Sequence, residues 1–449
     1  MKGQKLLVSS LAVVSLFALV VLILNSVFKR PSPSSPKVVI DEVRLGPADK
    51  RILLAQQAIE RAPNSSEAYN LLISAYMQKA RESSDFSFYG KAEAALNRSL
   101  EIEPENYDAI KLKAKIQLTY HRFKEALETA RRAQLLRADD HDVWGQITDA
   151  LVELGDYRGA ISAAQKMVDL RPDSSAYARI SYLRSLHGDI EGAIQTMKMA
   201  VKAADPRDLE GVAWCRVQLG NELLNAGKLV EADREFEDAL LTFPGYKPAV
   251  EAQARARLAA GNISGSFAIY QQQQTEKPTA DVALALGDLL MYGGQPSEAN
   301  KHYEMFESLE RENVAVENSW RHMMNYWLDH DKHLDQALTL ASREYEFRKD
   351  IFTCDTLAWA QFKNGRLDQA RATIKEALRL GTRDTRINYH AGMIYKAMNM
   401  PNQATKHLEL ALAMSSSINV LQTKSAKETL DELKNKAERG STSRRLFGD

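Results

Sequence analysis

At 449 residues the chain is long enough for about three ordinary domains. Its 59 basic and 59 acidic residues cancel and no long run of one sign occurs, so a nucleic-acid partner is not expected. Two cysteines, Cys215 and Cys354, are too far apart along the chain for a bridge to be expected and read as buried thiols.

The first segment is unlike the rest. Leu6 to Phe28 is 23 residues without a charge, longer as a helix than the roughly 30 Å hydrocarbon core of a bilayer. No small-x-small cleavage site precedes Phe28 and no cysteine lies near its end, so residues 1–28 read as an uncleaved signal-anchor helix and not a lipoprotein anchor. Flanking basic residues mildly favour cytoplasmic repeats, whereas the short basic head before the apolar stretch resembles an export signal. The expected localisation is single-pass membrane, with the following domain extracytoplasmic (periplasmic). Residues 29–47, with Pro31, Pro33 and Pro36 among serines, read as an extended spacer.

Asp49 to Ala62 reads as a lone leading helix with Leu53, Leu54, Ala58 and Ile59 on one face. Beyond it a small residue returns at Ala92, Ala126, Ala160, Ala193, Ala232, Ser266, Ala299, Ala337, Ala370 and Ala404, in steps of 33 to 39 residues. A small side chain at that period rebuilds one crowded helix crossing in every unit, which is the mark of a stacked helical solenoid. One such unit reads Ala232, Phe236, Ala239 and Pro244; upstream positions are filled by Tyr69, Leu72 and Tyr76, by Trp144, Ile147 and Leu151, and by Leu219 with Gly220. This pattern resembles the tetratricopeptide repeat, in a membrane-anchored bacterial type of protein. The likeness covers about residues 48–416 and weakens where Ser266 replaces alanine and around Ala337. It implies an all-α, right-handed superhelical solenoid of about ten helix pairs, here preceded by one N-terminal transmembrane helix. Longer joints near Ala203 to Leu209 and Glu310 to Val316 are expected to change the local superhelical angle. Residues 417–438 follow as a polar capping helix and 439–449 as a tail.

In this family the first helices line the concave face. Carried over by position, that implies a partner-binding surface of Leu284, Asp288, Met291 and Tyr292; of Phe352, Asp355, Trp359, Phe362 and Lys363; and of Arg386, Tyr389, Met393 and Lys396. Aromatic and arginine side chains are the usual anchors of such surfaces. At corresponding positions of the first units stand Asn70, Ser74, Lys111, Lys115 and Asp142; Asp142 and Gln146 occupy places where a chaperone-tail clamp needs positive charge, which rules that clamp out. Phe86, Phe88 and Tyr89 form an aromatic insertion that packs on its neighbour helix or folds over the groove.

No glycine-rich phosphate loop, nucleophile elbow or paired-cysteine metal motif occurs. His322, His330 and His333 with Asp329 and Asp331 form the densest polar cluster and read as a solvated helix end, not a metal site. No enzyme, cofactor or metal is expected. The function expected is a membrane-tethered scaffold holding a partner protein or peptide in its concave groove and assisting assembly of an envelope complex. The alternative is an accessory subunit of an enzyme system such as cytochrome maturation or envelope-glycan synthesis.

Overall fold

The computed structural model describes residues 46–83, 85–317, 320–413 and 419–446. The chain divides into two units, Met1–Lys50 and Arg51–Asp449, and the repeats lie in the second. Every regular element among the described residues is a helix, 22 in all. Helix α1 (Pro47–Arg61) precedes ten pairs. These are α2 (Ser66–Ser83) with α3 (Ser87–Ile102), α4 (Tyr107–Thr119) with α5 (Phe123–Leu136), and α6 (His141–Glu153) with α7 (Tyr157–Leu170). Next come α8 (Ser174–Leu186) with α9 (Ile190–Ala203), α10 (Leu209–Asn225) with α11 (Leu229–Thr242), and α12 (Lys247–Ala259) with α13 (Ile263–Glu276). The last four pairs are α14 (Ala280–Tyr292) with α15 (Pro296–Glu317), α16 (Arg321–Asp329) with α17 (Leu334–Phe347), α18 (Ile351–Lys363) with α19 (Leu367–Ala377), and α20 (Thr385–Ala397) with α21 (Pro401–Ala413). Helix α22 (Val420–Leu446) ends the array.

The residues of the ladder explain the pairing. All ten, from Ala92 to Ala404, are at most 1% exposed. Where the first helix carries glycine, a large side chain of the second presses against it: a Cβ on Gly220 would stand 2.3 Å from Phe236, on Gly287 2.4 Å from Tyr303, and on Gly392 2.6 Å from Leu408. Close axes and filled gaps are thus one feature. Between the helices of nine pairs the turn needs a left-handed residue. Glycine supplies it in six, while His121, Asp331 and Asn399 adopt positive φ in the others. The next helix then begins with a side-chain cap in several units, as where Asp156 accepts from Gly159 N at 2.9 Å and Asp189 from Gly192 N at 3.0 Å.

Two expectations are corrected. Leu6–Phe28 and residues 29–45 lie outside the described residues, and among the described residues no helix is long and apolar enough to cross a membrane. A fold opening on a transmembrane helix, and with it the single-pass, extracytoplasmic localisation, is therefore unsupported. The physical reason is that the repeats' helices bury one apolar face and leave a charged one outside; even α22, at 27 residues the longest, alternates lysine and glutamate with its apolar positions. The second correction concerns residues 310–316, which are not a joint: α15 continues to Glu317 and the following α16 is only 9 residues long.

Units far apart in sequence also touch. Arg348 pairs with Glu153 and with Glu344 at 3.0 Å, while Arg321 reaches Glu344 and Asp350, each at 3.1 Å. The Arg348 guanidinium lies 4.6 Å from the Phe123 ring centre, and that of Arg379 lies 5.1 Å from the ring centre of Tyr157. One buried cluster joins Val143, Ala160 and Leu183 to Ile351, Ala370 and Ile387. The array thus folds back on itself within Arg51–Asp449.

Candidate partner-binding site

Four first helices, α12, α14, α16 and α20, together with α22, line a cavity of about 790 Å³. It lies within the range of ligand pockets, about 300–1,000 Å³. Helix α22 forms one wall of it because its first turn is apolar: Val420 and Leu421 pack with Ala254, Val282, Leu286 and Leu289 from α12 and α14. The same helix is tied to α20, where Tyr389 Oη donates to Ser425 Oγ at 3.2 Å and Lys396 reaches Glu432 at 2.6 Å. Lys396 and Lys436 together hold the Glu432 carboxyl down, to about 2.

Three acidic residues that line the cavity, Asp281, Asp288 and Asp329, are already engaged from within the protein. Asp288 accepts from Tyr303 Oη at 3.0 Å and lies 3.2 Å from His330 Nε2. Asp329 accepts from Trp359 Nε1 at 3.0 Å. His322 stands between Glu310 at 3.0 Å and Asp281 at 3.4 Å; burial opposes its charge, yet the two carboxylates raise its pKa. Glu251 has no hydrogen-bond partner among the described residues, and burial, reinforced by Asp281, pushes its carboxyl up to about 7. The cations behave differently. Arg386, half-buried, and Lys424 and Lys427, both exposed, line the cavity without an ion pair or hydrogen bond among the described residues.

Of the positions implied by the family geometry, Leu284, Asp288, Tyr292 and Arg386 line this cavity, and Tyr292 is 41% exposed. Others are engaged inside the protein. Asp355, Trp359 and Tyr389 are buried, with Asp355 2.9 Å from His390 Nδ1 and the Trp359 ring stacked on His390 at 4.1 Å and on Phe362 at 4.9 Å. Lys363 pairs with Asp331 at 2.6 Å, Met393 lies 3.8 Å from Thr429 Oγ1, and Phe352 and Met291 pack partly buried against the core. Glu251 and Arg255 stand on α12 at the places that Leu284 and Asp288 hold on α14, so the same family geometry extends to them, whereas nothing in the repeat pattern pointed to the α22 lysines, because α22 meets α12 and α14 only in the folded array.

Elsewhere, Lys111 is held by Asp140 at 2.8 Å and Asp142 at 3.5 Å. In the aromatic insertion, Phe88 lies 6.1 Å from Tyr76 and Phe86 stacks on Tyr89 at 5.9 Å, so both pack against neighbouring rings of their own unit. His333 lies 5.1 Å from Trp327, and among the described residues no group of three or more His, Cys, Asp or Glu is arranged to hold a metal. Both cysteines are unbridged and buried, and burial raises the Cys215 thiol to about 12 and that of Cys354 to about 11.

The architecture is that of a helical-repeat protein. Family models described as tetratricopeptide repeat match two stretches of the chain, residues 148–208 and 385–417. Similar solved structures include a tetratricopeptide repeat protein from Parabacteroides merdae, 17% identical over 55% of this chain and 99% of that one, with a TM-score of 0.39. A human IFIT1 dimer with m7Gppp-AAAA is 16% identical over 74% of this chain and 76% of that one, TM-score 0.46. Pseudomonas aeruginosa pilF is 16% identical over 47% and 92%, TM-score 0.34. No curated protein matches the chain.

Proposed function

We propose that this protein is a scaffold that seats a segment of a partner protein in the cavity between α12, α14, α16, α20 and α22. The observation that carries this reading is the set of side chains left open there: Tyr292 is exposed, and Arg386, Lys424 and Lys427 have no partner among the described residues. Arg386 is half-buried and feels the Asp384 carboxylate only at a distance, without a direct ion pair, so an incoming carboxylate that pairs with it adds a charge-assisted bond. The aromatic edge at Tyr292 supplies the apolar contact that interfaces favour. A cavity of about 790 Å³ holds a few side chains of an extended segment or one helix face, not a folded domain.

The test is site-specific photocrosslinking in cells. A crosslinking amino acid at Tyr292 is expected to trap one defined protein, whereas the same group at Val230, 82% exposed on the second helix α11, traps none. Equal capture at both positions, or none at Tyr292, would remove the reading.

A further inference from the structure

Resting on the scaffold reading above, we infer that the segment received in this cavity is acidic and presents an aspartate or glutamate carboxylate to Arg386, Lys424 and Lys427. The lysines of α22 divide cleanly. Lys434 reaches Glu409 at 2.9 Å and Lys436 reaches Glu432 at 2.7 Å, whereas the two lysines that line the cavity pair with nothing among the described residues. Lys424 and Lys427 stand three apart, hence on one face of the helix. Glu428 and Asp431 lie one turn further along, at the right spacing to neutralise them, yet neither pair forms an ion pair.

Arg386 comes from α20 and is half-buried, and its two-pronged donor set makes no hydrogen bond or ion pair among the described residues, Asp384 acting on it only at a distance. Across the cavity, Asp281, Asp288 and Asp329 cannot serve the same purpose, because His322, His330 with Tyr303, and Trp359 already occupy them. On this side the unpaired cations Arg386, Lys424 and Lys427 outnumber the unpaired carboxylates Glu428 and Asp431, which leaves an excess of positive charge.

Fluorescence anisotropy on the full chain tests this with labelled oligoglutamate, oligoglutamine, oligolysine and oligouridylate of equal length. Oligoglutamate is expected to bind, more tightly than the other three. Its affinity is expected to fall about tenfold in Arg386→Gln and again in Lys424→Gln with Lys427→Gln, as for loss of a hydrogen bond to a charged group. Arg386→Lys keeps the charge and is expected to restore part of the loss. None of these side chains pairs within the fold, so circular dichroism melting is expected to be unchanged in every variant. Tighter binding of oligolysine or oligouridylate, indifference to the charge variants, or no binding of oligoglutamate would each overturn the inference. Specific crosslinking at Tyr292 combined with any of those results leaves the scaffold reading standing and refutes only the acidic segment.

Discussion

The backbone N–H of Ile351 donates to the hydroxyl of Tyr157 at 2.9 Å, across 194 residues of sequence. Around this bond Gly155 faces the Lys349 carbonyl so closely that a Cβ would stand 2.4 Å from it, and Gly188 stands in the same relation to the Gly381 carbonyl. The ion network of Arg348, Glu153, Asp350 and Arg321 surrounds the junction. Burial raises the Asp350 carboxyl, but Arg321 and Arg348 outweigh it and hold the group ionised below its usual range. An open solenoid is stabilised only by neighbouring units. Here units far apart in the chain also touch one another.

Tyr157→Phe removes the acceptor and leaves the Ile351 N–H buried and unpaired. The expected loss is about 1–3 kcal/mol, read from the midpoint of a urea or guanidinium titration. An unchanged midpoint would mean that the two turns do not share the folding free energy.

Gly155→Ala and Gly261→Ala separate backbone strain from crowding. Both glycines have left-handed φ, +80° and +78°, but a Cβ at Gly261 meets nothing within 4 Å. Gly261→Ala is expected to cost about 1–2 kcal/mol for the backbone conformation alone. Gly155→Ala adds the clash with the Lys349 carbonyl and is expected to cost at least 1 kcal/mol more by the usual scale of overpacking, about 1–3 kcal/mol. Equal melting shifts would show that the turn-to-turn contact yields freely.

Ser266→Ala is expected to stabilise the protein. The Ser266 side chain is fully buried at a position where nine other units carry alanine, and its Oγ makes no hydrogen bond. Removing an unsatisfied hydroxyl of this kind recovers about 1 kcal/mol. A lower melting temperature in the variant would place an undetected partner on that hydroxyl.

Glu222 and Glu251 carry carboxyls that burial raises to about 7 in the folded chain, from about 4.5 when unfolded. The folded state binds the proton more tightly, so the stabilisation is full below pH 4.5 and is lost as pH rises towards 7. Glu222→Gln and Glu251→Gln are each expected to flatten that decline, by on the order of 1 kcal/mol across the window. His407 works in the opposite sense: burial, aided by Lys406, lowers it to about 4, so its contribution is lost as pH falls from 6.5 to 4. A stability profile of Glu251→Gln parallel to that of the parent chain would contradict the assignment.

The period of the ladder and the class of fold were legible in the amino-acid order, because each alanine, glycine and turn residue acts within one helix pair. Gly220 under Phe236, for one, is settled by two residues 16 positions apart within a single pair. Leu284, Asp288, Tyr292 and Arg386 come to one cavity for a similar reason, since a side chain's direction from a first helix is a local property. Which of the implied side chains remain open was decided only by the tertiary structure. Trp359 is covered by His390 and bonded to Asp329, and Tyr389 is bonded to Ser425 of α22, contacts that cross units. Likewise nothing in the repeat pattern brings Ile351 to Tyr157 or Val420 to Leu286, since small rotations between successive pairs accumulate over many units before distant ones meet.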